Sequence, residues 1–240
     1  MSTKVLKRNE LKYVITLEQF KEFQLLANNY LEKDKYYSNK IKNIYFDTDD
    51  YLLIRRSIEK PDYKEKLRIR TYYEGTNPDV FVEIKKKANS VVFKRRVKLS
   101  YEKAMKLLNG EEIDENNQII NEIKYFISYY KTLKPQMYLS YDRLSYYAKE
   151  DKNLRITFDS KIQWIKGKTN FVENSVGNYI LDNDYFLMEI KTEKGYPKWL
   201  CDFLSKNKIY KKSFSKYGNC YIDMLKKEKE NCDGYTINIA

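Results

Sequence analysis

The sequence has no histidine, and its 240 residues include only 7 glycines, 4 prolines and 3 cysteines. Without imidazole, Ser-His-Asp and Cys-His catalysis, histidine zinc sites and histidine general bases are excluded. So little glycine and proline excludes collagen-like, Gly/Ser-linker and proline-rich architectures. Cys201, Cys220 and Cys232 show no C-x-x-C spacing, and an odd count in a long chain points to reduced thiols rather than a disulfide frame. No apolar run approaches the roughly 18 to 20 residues that a membrane helix needs. Residues 1–10 also lack the apolar stretch of a secretory signal. A cytoplasmic protein with no membrane segment in this chain is the expectation.

What is present is charge and tyrosine. Lys+Arg number 46 against 34 Asp+Glu, a formal charge of +12, and 24 tyrosines bring aromatics to 15%. Disordered chains are poor in aromatics, so this one should fold. Its lysine-, asparagine-, isoleucine- and tyrosine-rich composition accounts for part of the charge, so the placement of the cations matters more than their sum. No internal repeat, linker or compositional break appears. The chain therefore reads as a single domain over 1–240, with 228–240 as a loose tail.

Hydrophobic periodicity predicts strands over 4–16, 41–47, 64–73, 79–87, 91–99, 136–148, 154–164 and 179–191. Helices are predicted over 17–31, 101–108, 118–133, 197–207 and 217–230, with a short helical turn at 50–58. Thr16 with Gln19 three residues on reads as a capping box, and Pro197 suits an early helical position. The strands follow one another through turns such as residues 75–78 and 88–90, without regular strand–helix alternation. A doubly wound parallel sheet is therefore unexpected, and the fold class is α+β: an antiparallel barrel with peripheral helices.

The polarity of the strands is the informative feature. Lys66, Arg68 and Arg70 alternate with Leu67 and Ile69, Glu83 and Lys85 with Val82 and Ile84, and Lys94 and Arg96 with Phe93 and Val97. Arg8, Glu10 and Lys12 share one side of the first strand, Arg155 and Thr157 one side of a later one, Glu189 and Lys191 one side of the last. With a two-residue repeat, each set points to a single face. A solvated outer face is the ordinary explanation of such a pattern. Two features argue for a binding face instead. Arginines at alternate positions, as in Arg68-Ile-Arg70, present planar forks suited to phosphate oxygens. Glu-x-Lys recurs with an apolar middle residue at 10–12, 83–85 and 189–191. Helices covering the apolar side would leave the cations lining a hydrophilic bore, where mutual repulsion calls for a polyanion or a metal-bound phosphate.

These residues resemble the triphosphate tunnel metalloenzyme (CYTH-like) superfamily, and within it the polyphosphate-polymerase domain of the vacuolar transporter chaperone (VTC) complex. The resemblance runs in order through Glu10-Leu-Lys12-Tyr13, Ile44-Tyr-Phe-Asp47, Leu67-Arg-Ile-Arg70, Phe81-Val-Glu-Ile-Lys85, Tyr141-Asp-Arg143, Leu154-Arg-Ile-Thr-Phe-Asp159, Met188-Glu-Ile-Lys191 and Phe214-Ser-Lys-Tyr217. The wider superfamily opens on Glu-x-Glu-x-Lys; Arg8 stands here at the first glutamate, which favours the polymerase-like branch. The resemblance implies an eight-stranded antiparallel tunnel that binds ATP or another triphosphate and inorganic polyphosphate, with Mn²⁺ or Mg²⁺ as cofactor. It implies catalytic roles for Lys12, Arg68, Arg70, Lys85, Arg143 and Glu189. Phosphate contacts fall to Arg8, Lys66, Lys94, Arg96, Arg155, Lys191, Ser215 and Lys216, and metal binding to Glu189, Glu10 and Glu83.

The expected activity is thus metal-dependent phosphoryl transfer, polyphosphate synthesis from ATP, with positioning and charge stabilisation in place of covalent chemistry. Two alternatives share the bore: a triphosphatase, with water as acceptor, and a non-catalytic polyanion-binding module. Nucleic acid is not an expected partner, because the tyrosines scatter through core and helix positions and no RNA-binding signature is present. Trp164 and Trp199 read as packing residues.

Overall fold

A computed structural model describes residues 9–73, 77–89, 91–172 and 176–235, with side chains described as far as residue 232 in the last helix. In chain order the elements are β1 (Asn9–Thr16), α1 (Leu17–Tyr30), β2 (Leu31–Asp47), α2 (Leu52–Ile58), β3 (Tyr63–Thr71), β4 (Asp79–Ala88), β5 (Val91–Ser100), α3 (Tyr101–Leu108), α4 (Gln118–Tyr130), β6 (Lys134–Ala148), β7 (Arg155–Lys166), β8 (Asn178–Tyr179), β9 (Tyr185–Thr192), α5 (Lys198–Lys206) and α6 (Lys216–Tyr235). The strands hydrogen-bond in the order β1-β9-β7-β6-β2-β3-β4-β5, with β8 beside β7. Every register that is resolved is antiparallel.

The α+β class with a large antiparallel sheet holds; closure of that sheet into an eight-stranded barrel is not shown. Among the described residues there are nine strands, and their pairing is a path with two ends, β1 and β5, rather than a ring. Alternation along a strand says which face is apolar; it carries no information on whether the outermost strands pair. The predicted strand over 179–191 is also two strands. Asp182, Asn183 and Asp184 interrupt it with a turn in which the Tyr185 N–H donates to the Asp182 carbonyl at 3.0 Å. β2 begins at Leu31, well before the expected 41, since Glu32-Lys-Asp-Lys35 has no strand pattern of its own. α6 continues through Tyr235, so the tail expected from 228 is helical that far.

By contacts the chain forms two compact units. The first comprises Met1–Lys40, Tyr141–Ile162 and Leu181–Phe214; the second comprises Ile41–Ser140, Gln163–Ile180 and Ser215–Ala240. In the first, β1 pairs with β9 and β9 with β7. One face of these strands, with Tyr13, Ile15, Ile156, Phe158, Met188 and Ile190, packs on Phe20, Phe23 and Ala27 of α1 and on Leu200 and Phe203 of α5. α1 starts where the sequence says it should: Thr16 Oγ1 accepts from the Gln19 N–H at 3.3 Å, and Gln19 Oε1 accepts from the Thr16 N–H at 2.9 Å.

In the second unit β2, β3, β4 and β5 are successive neighbours. Ile44, Leu67, Ile69, Val82 and Ile84 form its apolar face, covered by Ala104, Leu107 and Leu108 of α3 and by Ile120, Ile123 and Phe126 of α4. Ser100 and Asn117 cap those helices, each accepting from the backbone N–H three residues on. In each unit, then, helices cover the apolar side of the sheet. In the second, Glu65, Lys86 and Arg95 also face α4, where Glu65 accepts from the Tyr130 hydroxyl at 2.7 Å, while Lys66, Arg68, Arg70, Lys85, Lys94 and Arg96 lie on the opposite face.

One buried carboxylate ties α2 and α6 to the second unit. Asp47 has no exposed surface and accepts from the backbone N–H groups of Thr48 (2.9 Å), Leu53 (2.8 Å) and Ile54 (3.0 Å) and from the Tyr217 hydroxyl (3.0 Å). Burial nevertheless pushes its carboxyl up. Replacing it strands several buried donors at once. Asp47→Ala should therefore cost at least about 2 kcal/mol of stability, read as a lower midpoint of urea unfolding; an unchanged midpoint would contradict this role.

Candidate functional site

On the polar face of the second unit, strand pairing sets charged residues in rows. Tyr45 faces Arg68, Arg68 faces Glu83 and Glu83 faces Arg96; beside them Asn43 faces Arg70, and Lys85 lies between Lys66 and Lys94. Glu83, only 1% exposed, is the anchor. Its Oε2 accepts from Arg68 Nε at 2.8 Å and NH2 at 2.7 Å, and its Oε1 lies 2.6 Å from Lys94 Nζ. Burial by itself would raise this carboxyl; Arg68, Arg70 and Lys94 outweigh it and bring it down to about 2. Lys94 is lowered as well: burial pulls its ammonium down, Glu83 opposes that, and Arg68 and Arg70 add repulsion.

The two arginines are oriented before any ligand arrives. Arg68 NH1 donates to the Tyr45 hydroxyl at 2.9 Å, and Arg70 Nε donates to Asn43 Oδ1 at 2.8 Å. Asn43 is itself fixed by donating to the Leu139 carbonyl at 3.0 Å, and Tyr45 stacks on Tyr217 with ring centroids 4.4 Å apart. Arg96 lies over the Phe81 ring at 4.7 Å, and Lys85 is exposed. At the start of α6, Ser215 Oγ accepts from Lys66 Nζ at 2.9 Å and from the Gly218 N–H at 3.1 Å. A Cβ at Gly218 would lie 3.1 Å from both side-chain atoms of Ser215, so glycine permits that approach.

The polar face of the first unit is built differently. Lys12 faces Glu189 and Glu189 faces Thr157; Glu10 faces Lys191 and Lys191 faces Arg155. Arg143, on β6, makes a two-point bond to Asp159 (Nε to Oδ1 2.5 Å, NH2 to Oδ2 2.6 Å), and its NH2 lies 3.6 Å from Glu189 Oε2. Burial would pull the guanidinium down, but Asp159 leads a set of neighbours that hold it well above its usual value. Arg155 donates to Asp34 Oδ2 at 2.7 Å and lies over the Tyr147 ring.

A family model described as "VTC domain" matches residues 7–225. The chain belongs to the VTC domain family. No curated protein matches it. Among solved structures, a Bacillus halodurans protein provisionally named an adenylate cyclase is similar at a TM-score of 0.52 and 15% identity, over 86% of this chain and 92% of that one. At that identity the likeness is one of fold. A Vibrio parahaemolyticus protein, also provisionally named an adenylate cyclase, matches at 0.45 and 11% identity, over 88% of this chain and 96% of that one. A Pyrococcus horikoshii protein matches at 0.43 and 16%, over 92% and 99%.

In this VTC domain Lys66, Arg68, Arg70, Glu83, Lys85, Lys94, Arg96, Ser215 and Lys216 fall in the second unit. Glu10, Lys12, Arg143, Arg155, Glu189 and Lys191 fall in the first. Arg8 lies outside the described residues. Sequence reasoning named the cations and missed what holds them. Asn43, Tyr45, Asp159 and Asp34 received no role, although Tyr45 and Asp159 stand inside motifs that carried the resemblance. The two-residue period puts Asn43 and Tyr45 on one face of a strand, which was the available signal. Trp164 is buried, as expected of a packing residue, and donates to Asp223 Oδ2 at 2.8 Å; Trp199 is half-buried and stacks on Tyr30.

Among the described residues no three acidic or cysteine side chains come together as a metal cage. Glu10 and Glu189 lie on one face of the first unit and share Lys12 and Lys191 as ion-pair partners. A pair of carboxylates fits a hard divalent cation that takes its other ligands from substrate oxygens and water, and does not fit an all-protein cage. Both oxygens of Glu83 are engaged by Arg68 and Lys94.

The Glu83 clamp predicts an acid sensitivity. Its folded value, about 2, lies below the ordinary 4.5, so its contribution is complete above pH 4.5 and disappears as pH falls toward 2. The loss is on the order of 3 kcal/mol. Urea unfolding of wild type and Glu83→Gln at pH 7 and pH 3 reads it. The variant should be less stable at pH 7 and lose less on acidification; an equal loss in both proteins would show that Glu83 is not the titrating group.

Proposed function

We propose that this VTC domain is a metal-dependent phosphoryl-transfer enzyme that makes inorganic polyphosphate from ATP. The observation that carries the reading is the polar face of the second unit. There Arg68 and Arg70, oriented by Glu83, Tyr45 and Asn43, lie among Lys66, Lys85, Lys94 and Arg96. Forked guanidinium groups beside ammonium groups suit a linear polyanion with many equivalent oxygens.

Arg68 and Arg70 bind nonbridging oxygens of the triphosphate, while Lys66, Lys85 and Lys94 supply point charges that follow the chain. Because Glu83 and Asn43 fix the arginines in advance, their reorganisation during transfer is small, the condition under which charged groups stabilise a transition state best. On the polar face of the first unit, taken by itself, Lys12, Lys191, Arg143 and Arg155 are likewise suited to phosphate oxygens, and Glu189 with Glu10 would hold Mn²⁺ or Mg²⁺. A cation held by these carboxylates would supply charge neutralisation to phosphate oxygens. The acceptor is the end of a phosphate chain, already ionised, so no general base is needed; the absence of histidine is compatible with that. Ser215 and Lys216, at the start of α6, contact the chain beyond the transferred group.

Incubation with ATP and Mn²⁺ followed by gel sizing of the phosphate products is the direct test. Long chains are expected. Orthophosphate alone would make the protein a triphosphatase, and no turnover would leave a polyanion-binding module. Lys85→Ala should slow synthesis by roughly a hundredfold, the loss of about 3 kcal/mol of transition-state stabilisation, with the circular dichroism spectrum unchanged because Lys85 is exposed. Full activity in that variant would remove Lys85 from the site.

A further inference from the structure

Four side chains on the polar face of the first unit form a closed ring of alternating charge. Lys12 Nζ lies 3.4 Å from Glu10 and 3.7 Å from Glu189; Lys191 Nζ lies 3.7 Å from Glu10 and 3.2 Å from Glu189. Each ammonium therefore touches both carboxylates. Lys12 also donates to the Phe214 carbonyl at 2.9 Å, which anchors its ammonium while both carboxylates stand at ion-pair distance. Arg143, held at two points by Asp159, approaches Glu189 with its remaining reach. The ring is partly sheltered: side-chain exposures are 33% for Glu10, 23% for Lys12, 7% for Glu189 and 22% for Lys191.

The groups suited to phosphate and the groups suited to a cation thus occupy one another. An ammonium paired with two carboxylates has to give up part of that attraction to bind a phosphate oxygen, and the carboxylates it turns from are then less compensated. The balance differs from that of the second unit, where Glu83 is surrounded by Arg68, Arg70 and Lys94. In the ring, two anions match two cations.

We propose that the ring is an exchange device that couples cation binding to phosphate binding. Glu10 and Glu189 hold Lys12 and Lys191 in reserve, and neutralising the glutamates releases the lysines to phosphate. Divalent cation and phosphate chain then bind with positive coupling beyond their direct contact, and by linkage each favours the other equally. This rests on reading the face as a phosphate site.

The test uses the full chain and inorganic triphosphate in EDTA, by titration calorimetry at low ionic strength, so that no metal takes part. Glu189→Gln and Glu10→Gln each mimic a neutralised glutamate and should bind triphosphate roughly three- to tenfold more tightly than wild type, the range expected from freeing a partly sheltered ion pair. In a Lys12→Met/Lys191→Met background the same glutamate substitutions should change affinity less than twofold. A gain that persists in that background would reduce the effect to general charge repulsion and overturn the exchange, as would no gain in the single variants. Mn²⁺ binding followed by electron paramagnetic resonance supplies the reciprocal readout: without phosphate, the double lysine variant should hold Mn²⁺ more tightly than wild type, and an equal or weaker grip would count against the ring. Should Glu189→Gln fail to fold, Glu10→Gln near the start of β1 carries the comparison. Wild-type protein that ignores triphosphate altogether would remove the phosphate reading and the exchange with it; wild-type binding with indifferent glutamate variants would remove the exchange alone.

Discussion

A buried carboxylate that gathers cations around itself is the interaction on which the basic face of the second unit depends. Guanidinium and ammonium groups on three adjacent strands repel one another, and burial penalises each. Glu83 relieves both costs by accepting from Arg68 through two nitrogens and pairing with Lys94. The strength of that field shows in the carboxyl itself, which stays ionised down to about 2 although burial alone would push it up. The arginine–glutamate pair is better understood as an orienting device than as a source of net stability, since sheltered ion pairs lose in desolvation much of what they gain in attraction. What it secures is direction: Arg68 and Arg70 point where the sheet puts them before any ligand is present.

The second constraint is the division of each sheet into an apolar and a charged face. α1 and α5 in the first unit, and α3 and α4 in the second, cover the apolar faces. Their caps and periodicities are local features, and the strands they cover alternate over the stretches that carry Leu67, Ile69, Val82 and Ile84. Together these send most of the charged strand side chains to the opposite face, with Glu65, Lys86 and Arg95 among the exceptions, which meet α4. The same rule that builds the cores therefore builds the site, and the site residues need no special backbone to present them.

The charged faces of the two units are not equivalent. One surrounds a single clamped glutamate with arginine and lysine, a surface suited to a polyanion. The other pairs its lysines with glutamates and its arginines with Asp159 and Asp34, a surface in which every cation has an anion to leave. The VTC domain family match covers residues 7–225 and so takes in the described strands of both units. Among the described residues no helix is long and apolar enough to cross a membrane.

Local pattern was enough to read the capping box at Thr16, the hairpin of β3 and β4, the helices covering the sheets and the alternation that puts Arg68, Arg70, Glu83 and Lys85 on one face, because each depends on residues a few positions apart. Failures came where pairing over long sequence separations decides. The 31–40 stretch becomes strand despite its charge, 179–191 divides across residues 180–184, and among the described residues the strand order has two ends. The contacts that orient the site were beyond reach for the same reason: Arg70 meets Asn43 and Arg143 meets Asp159 across strands. The Lys12–Glu189 pair joins residues from opposite ends of the chain. Sequence by itself determined which side chains are charged and which face of a strand they share. Only the tertiary structure decided which cation meets which anion, because register and burial, set by the packing of whole strands, select one partner from many of equal chemistry.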